Sequence, residues 1–105
     1  MISLKDWQSR GTRMSLLGHD IFTISKRAQE PSKGLPILFL HGFPTASWDF
    51  HEIWADLSLQ HDLYAFDFLG FGFSDKPNPH PYSLIEQTDL AEAYIQAKGL
   101  KRFHV

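Results

Sequence analysis

The chain has 105 residues, enough for one small domain and not for two, and its 43% apolar share with nine Phe, three Trp and three Tyr indicates a packed core rather than disorder. A formal charge of −2 without a basic run gives nucleic acid or an anionic membrane nothing to attract it, so neither is expected as a partner. No cysteine is present, which excludes a disulfide scaffold, a thiolate metal site and a Cys nucleophile.

Met1 to Asp6 lacks a basic segment followed by an apolar one, and no apolar run approaches the ~18 residues of a membrane span. The reading is a soluble, cytoplasmic protein. Residues 1–11 are amphipathic and read as irregular, with Trp7 anchoring them to the body. Residues 12–27 suit a β-hairpin: Leu17-Gly18-His19-Asp20 is a turn signal, and Ile21 to Ile24 carry the β-branched and aromatic residues that a pleated surface favours. Ala28 to Leu35, with Pro31, Ser32, Lys33 and Gly34, is loop chemistry.

Pro36-Ile-Leu-Phe-Leu40 then runs unbroken into His41-Gly42-Phe43-Pro44. Without alternation of polar and apolar positions, residues 36–41 read as a strand covered on both faces and stopped abruptly by Gly-x-Pro. A helix is expected over about 46–60, capped by Thr45 or Ser47, because Phe50, Ile53, Trp54 and Leu57 share one face. A second strand, 62–67, completes a βαβ unit with two parallel neighbours. Gly70, Gly72, Pro77, Pro79 and Pro81 mark a long loop. Ser83 and Glu86 have capping-box spacing for a helix over about 83–98 that stops at Gly99, and a third parallel strand opens at about Arg102. The fold class is α/β: a hairpin, then βαβαβ with a mostly parallel sheet.

His41-Gly42-Phe43-Pro44 after one buried strand, and Asp67-Phe-Leu-Gly70-Phe-Gly72-Phe-Ser74-Asp-Lys-Pro77 after the next, resemble the N-terminal part of the α/β-hydrolase superfamily. The resemblance is to the branch of epoxide hydrolases and haloalkane dehalogenases. With His80-Pro81-Tyr82-Ser83, Glu86-Gln87 and Leu40 to Thr45 added, it is strongest to the mesoderm-specific transcript subgroup, over roughly residues 7–105.

What the resemblance implies centres on Phe43. Its backbone N–H would be one of two donors of an oxyanion hole, supported by His41, Gly42 and Pro44, with a cis Phe43-Pro44 bond. Haloalkane dehalogenases usually carry Asn at this position, and Phe cannot donate to a halide, so epoxide or ester hydrolysis is favoured over halide chemistry. The resemblance puts the strand ending at His41 between the one at 63–66 and the one opening at 102. It puts nucleophile, acid and His, in that order, beyond Val105, so the chain is truncated at the start of the strand before the nucleophile elbow and carries no catalytic residue itself. The nucleophile could be Asp or Ser.

His41 reads as a hydrogen-bonded structural residue rather than a base. Asp67 and Ser74 sit outside any G-x-[SD]-x-G elbow, and Asp67 is expected to accept N–H groups of its own glycine loop. Gly70-Phe-Gly72 lacks the third glycine of a dinucleotide fingerprint. The remaining histidines show no zinc spacing, so neither metal nor cofactor is expected. Trp54 reads as a core residue; Trp48 could line a pocket.

The functional reading is thus the N-terminal part of an epoxide-hydrolase-like enzyme that acts on a small-molecule epoxide or ester through a covalent intermediate. Two other readings stand beside it: a non-catalytic ligand-binding protein of the same fold and, less favoured, a nucleotide-binding βαβ domain. With only a stub of its last strand, the isolated chain is expected to be poorly soluble or partly ordered.

Overall fold

In the computed structural model, residues 2–30 and 34–105 are described, so Met1 and the loop residues Pro31, Ser32 and Lys33 lie outside the described residues. Strands β1 (Thr12–Leu16) and β2 (His19–Lys26) pair antiparallel through a two-residue turn, Leu17-Gly18. Both turn residues have positive φ, +53° and +80°, the hand that matches the twist of the flanking strands. His19, read as part of the turn, is already the first residue of β2 and pairs with Leu16.

β3 (Ile37–Phe39) and β4 (Leu63–Phe66) are parallel, and β2 lies antiparallel on the far side of β4, giving the order β1-β2-β4-β3. The sheet is therefore mixed rather than mostly parallel, because the hairpin docks its second arm against β4. The strand expected from 102 is a single parallel bridge, Ile37 to His104, whose N–H donates to the Pro36 carbonyl at 2.9 Å. It lies on the side of β3 away from β4.

Both faces of the sheet are covered, and alternate side chains explain how. Phe22, Ile24, Phe39, Leu63 and Ala65 point to one face, where they meet Trp7 and Trp54. Ile21, Leu38 and Phe66 point to the other and meet Leu90 and Tyr94. A period of two with apolar residues at both phases is the signature of a strand buried on both sides. The second face belongs to α3 (Leu84–Lys98). Ser83 caps that helix by accepting the Glu86 N–H at 3.1 Å, and Gly99 ends it with φ +67°. Tyr94 is fully buried and donates to the Ala65 carbonyl, and burial pushes its phenol well above the ordinary range.

The first face corrects two expectations. Residues 4–10 are not irregular but form a short helix, α1 (Leu4–Arg10), started by Ser3, whose hydroxyl accepts the Asp6 N–H. Trp7 anchors it: fully buried, it meets Trp54 edge-on at 4.9 Å and donates its indole N–H to Ser47 Oγ at 3.0 Å. The helix expected over 46–60 is a 3-10 turn (Ser47–Phe50) followed by α2 (His51–Leu57). Neither expected cap works as one, since the Thr45 hydroxyl donates to the Gly42 carbonyl and the Ser47 hydroxyl is taken by Trp7. The tighter first turn rotates the buried face, so Ile53 is 45% exposed while His51 and Trp54 point inward.

The hairpin is tied to the rest by Asp75. Its carboxylate accepts the Asp20 N–H at 2.8 Å and pairs with Arg13 at 2.9 Å, and these contacts, the Asp20 bond foremost, hold it below its ordinary 3.8.

Two measurements test these assignments. Trp7→Ala should cost about 3–5 kcal/mol in denaturant unfolding, and Trp7→Phe less, because one aromatic ring is kept while the rest of the indole and its bond to Ser47 are lost. The Asp75 carboxyl should titrate with a midpoint below 3.8 by NMR. Because the folded form holds the proton less tightly, the stabilisation from this clasp is present above 3.8 and disappears as pH falls through the lower folded value. A midpoint at or above 3.8 contradicts the clasp.

Candidate functional site

β3 ends beneath the turn His41-Gly42-Phe43-Pro44, and the turn is held by its own polar groups. His41 is buried, and its Nε2 accepts the Phe68 N–H at 3.0 Å. A ring nitrogen that accepts is unprotonated, so the proton sits on Nδ1, which donates to the Gly42 carbonyl at 2.7 Å. That carbonyl also accepts the Thr45 N–H at 3.1 Å and the Thr45 hydroxyl at 2.9 Å. Three donors thus fix one face of the Gly42–Phe43 peptide. Since a trans peptide is planar with its N–H opposed to its C=O, the Phe43 N–H points away from this network. No acceptor takes it among the described residues. The Phe43–Pro44 bond that follows is cis.

The turn forms one wall of a cleft of about 730 Å³. Phe43, Phe68 and Phe71 line it on one side, and Tyr82, Leu84 and Gln87 on the other. The lining is chiefly apolar, and the Phe43 side chain stands 85% exposed at its rim, edge-on to Phe71 at 5.3 Å. Two contacts hold lining residues in place. Gln87 clasps Leu69 with both ends of its amide, accepting the Leu69 N–H at 3.2 Å and donating to its carbonyl at 2.9 Å. Gly70, at φ +89°, leaves room for Tyr82: a Cβ there would lie 2.8 Å from the phenol ring.

Beneath the cleft lies Asp67, 1% exposed. One carboxylate oxygen accepts the Phe73 N–H of its own glycine loop at 2.8 Å, as its type and place imply. The other accepts the Ser47 N–H at 2.8 Å, supplying from a different strand end the cap that Thr45 and Ser47 do not. Gly72 is required here: at φ +54°, a Cβ would sit 2.1 Å from Asp67 Oδ2. Ser74 closes the loop, donating to the Asp67 carbonyl at 2.6 Å and accepting the Phe22 N–H at 2.9 Å.

Trp48 does not join the cleft. Its indole N–H donates to the Ile2 carbonyl at 3.2 Å and its ring stacks on His51 at 4.0 Å, which directs it toward α1. Three residues unmarked by any sequence spacing do converge: His19, His80 and Glu86, with His80 Nε2 at 2.8 and 3.0 Å from the two Glu86 oxygens. Glu86 and Gln87 were legible as the opening of a helix and as part of the family resemblance, but not as side chains that clasp the loop before the helix.

Removing Asp67 should therefore loosen two loops at once. Asp67→Ala is expected to cost about 1–3 kcal/mol for each N–H it orphans, and Asp67→Asn less. Gly72→Ala should destabilise by upward of about 1 kcal/mol, and less so in the Asp67→Ala background, where the clash with the carboxylate is removed while that with Ala46 stays. Urea midpoints of the four proteins measure the coupling, and simple additivity would contradict it.

Residues 36–105 match the family described as alpha/beta hydrolase fold. The chain is 44% identical over 100 residues to the mesoderm-specific transcript homolog protein of Homo sapiens, covering 94% of this chain and 30% of that one. It is 38% identical over 93 residues to the putative hydrolase LipZ of Mycobacterium tuberculosis, covering 89% and 31%. Among solved structures, the haloalkane dehalogenase DatA of Agrobacterium tumefaciens superposes with a TM-score of 0.76 at 31% identity, covering 89% of this chain and 30% of that one. The chain thus spans about a third of the length of the relatives it matches. A free amide at the end of a buried parallel strand, the matched family and the shared backbone lead to one assignment: this chain belongs to the alpha/beta hydrolase fold family.

Proposed function

We propose that the chain forms the oxyanion-binding side of a hydrolase active site, with the Phe43 N–H as one of its two donors. The observation that carries this is an amide without an internal acceptor, in a peptide whose carbonyl is held by three donors, at the wall of an apolar cleft. Such a donor is preorganised: it need not turn or shed a partner when negative charge develops on a substrate oxygen. His41 acts here as a positioning residue. Its two ring nitrogens are engaged with the Phe68 N–H and the Gly42 carbonyl, which leaves it no lone pair for a substrate.

The substrate class is a small, largely apolar epoxide or ester, matched to the aromatic lining. The route is epoxide-hydrolase-like: a carboxylate at the nucleophile elbow attacks, an ester intermediate forms, and a His-activated water hydrolyses it. In this reading no residue of the chain serves as nucleophile, acid or base, and the chain alone has no turnover. Halide chemistry is disfavoured, because the Phe43 side chain offers no donor to a leaving halide. A cytoplasmic location fits this reading. A second reading, a non-catalytic binder of apolar small molecules, keeps the same cleft and differs only in the elbow residue.

Phe43→Pro removes the N–H. In a longer form of the protein that carries the nucleophile, it should lower kcat by about 10²–10³-fold, whereas Phe43→Leu, which keeps the amide, should stay near the parent value. Equal losses in the two variants would place the effect in the side chain and refute the amide's role. The 105-residue chain itself should show no hydrolysis of styrene oxide or p-nitrophenyl acetate above buffer. An elbow residue of Gly or Ala in the longer form would favour the binding reading.

A further inference from the structure

We propose that His19, His80 and Glu86 form a binding site for a divalent transition metal of the zinc class. Their ligand atoms all lie within 4.8 Å of one another, and each residue is half-buried. The three come from separate elements: the first residue of β2, the proline-rich loop and the first turn of α3.

Zinc binds imidazole nitrogen and carboxylate oxygen at ~2.0–2.2 Å, so two donors around a tetrahedral ion stand ~3.3 Å apart. His80 Nε2 and the Glu86 carboxylate, at 2.8 and 3.0 Å, already have nearly that spacing. His19 needs to approach by at most ~1.5 Å from its limit of 4.8 Å. It is placed to do so: its ring meets His80 edge-on at 5.6 Å, and no hydrogen bond holds it among the described residues. Tyr82 packs edge-on against His80 at 4.8 Å and steadies that ring.

The donor set chooses the ligand. Two imidazoles and one carboxylate suit zinc and its neighbours rather than calcium or magnesium, which take oxygen donors, and three protein ligands leave a fourth position for water. A simple ion pair would use His80 and Glu86 alone and leave His19 without a role. A metal uses both rings. When bound, it would staple the hairpin end to α3 and, through His80, steady the Tyr82 wall of the cleft.

The test is a calorimetric titration of the metal-free chain with Zn²⁺, paralleled by Co²⁺ absorption. We expect one ion per chain and a rise in Tm with added Zn²⁺. His19→Ala and His80→Ala should each weaken binding at least tenfold, since changes beyond the ligands alone cost ~10–100-fold. His61→Ala is the control, because His61 and His104 form another imidazole pair, with rings 5.9 Å apart. Circular dichroism identifies any variant that has unfolded; His19→Ala, at a hairpin end, then decides. No binding of one ion per chain, equal binding by His19→Ala and the parent, or loss of binding in His61→Ala would each overturn the proposal.

Discussion

The buried carboxylate of Asp67 is the contact on which the upper rim of this sheet depends. It sits at the end of β4 and accepts one N–H from the segment after β3 and one from the glycine loop after β4. Two connections that would otherwise be independent surface loops are thereby fixed to the same atom group, and their positions relative to each other become a matter of bond lengths. The cleft opens between structures those loops support. A bond from a buried amide to a carboxylate is among the stronger local interactions available to a protein, and here one carboxylate takes two, one on each oxygen. The arrangement works only because Gly72 presents no side chain to the carboxylate.

From that point the order extends in two directions. Ser47, whose amide meets Asp67, lends its hydroxyl to Trp7, so the first helix is tied to the segment that begins α2. On the other side, Ser74 joins the loop to β2, and His41 joins it to the turn after β3. The resulting network explains why the Phe43 amide is left over. The carbonyl of residue 42 absorbs three donors by itself, which turns the amide of the same peptide away from them. Among the described residues that amide has no acceptor, and it stands at the carboxyl edge of the sheet, where open α/β folds generally bind ligands.

Much of the architecture was legible in the residues. Apolar runs at 36–40 and 63–66 announced strands, the first of them covered on both sides, and Ser83 and Gly99 marked the ends of α3, because strand burial and helix capping are local chemistry. What escaped was non-local. α1 has one buried residue in two turns, so no periodicity revealed it, and its existence rests on a partner 40 positions away. The start of α2 looked like a Thr or Ser cap, yet both hydroxyls were already spoken for by Gly42 and Trp7. Ile53 fitted the helical stripe until a tighter first turn rotated it outward. Of the site, the turn at 41–44 was readable from its motif. The far wall, made by Tyr82, Leu84 and Gln87, was not, since nothing in their spacing says they face Phe43.

The bond between Trp7 and Ser47 has a practical corollary for anyone handling this protein. Through Ser47 and Asp67 it makes the amino-terminal helix a mechanical extension of the loops around the cleft, and the bond from Trp48 to the Ile2 carbonyl tightens the same linkage. A purification tag or fusion partner joined at that end would therefore tug on the loops around the cleft, which argues for attaching reporters and immobilisation handles elsewhere on the chain.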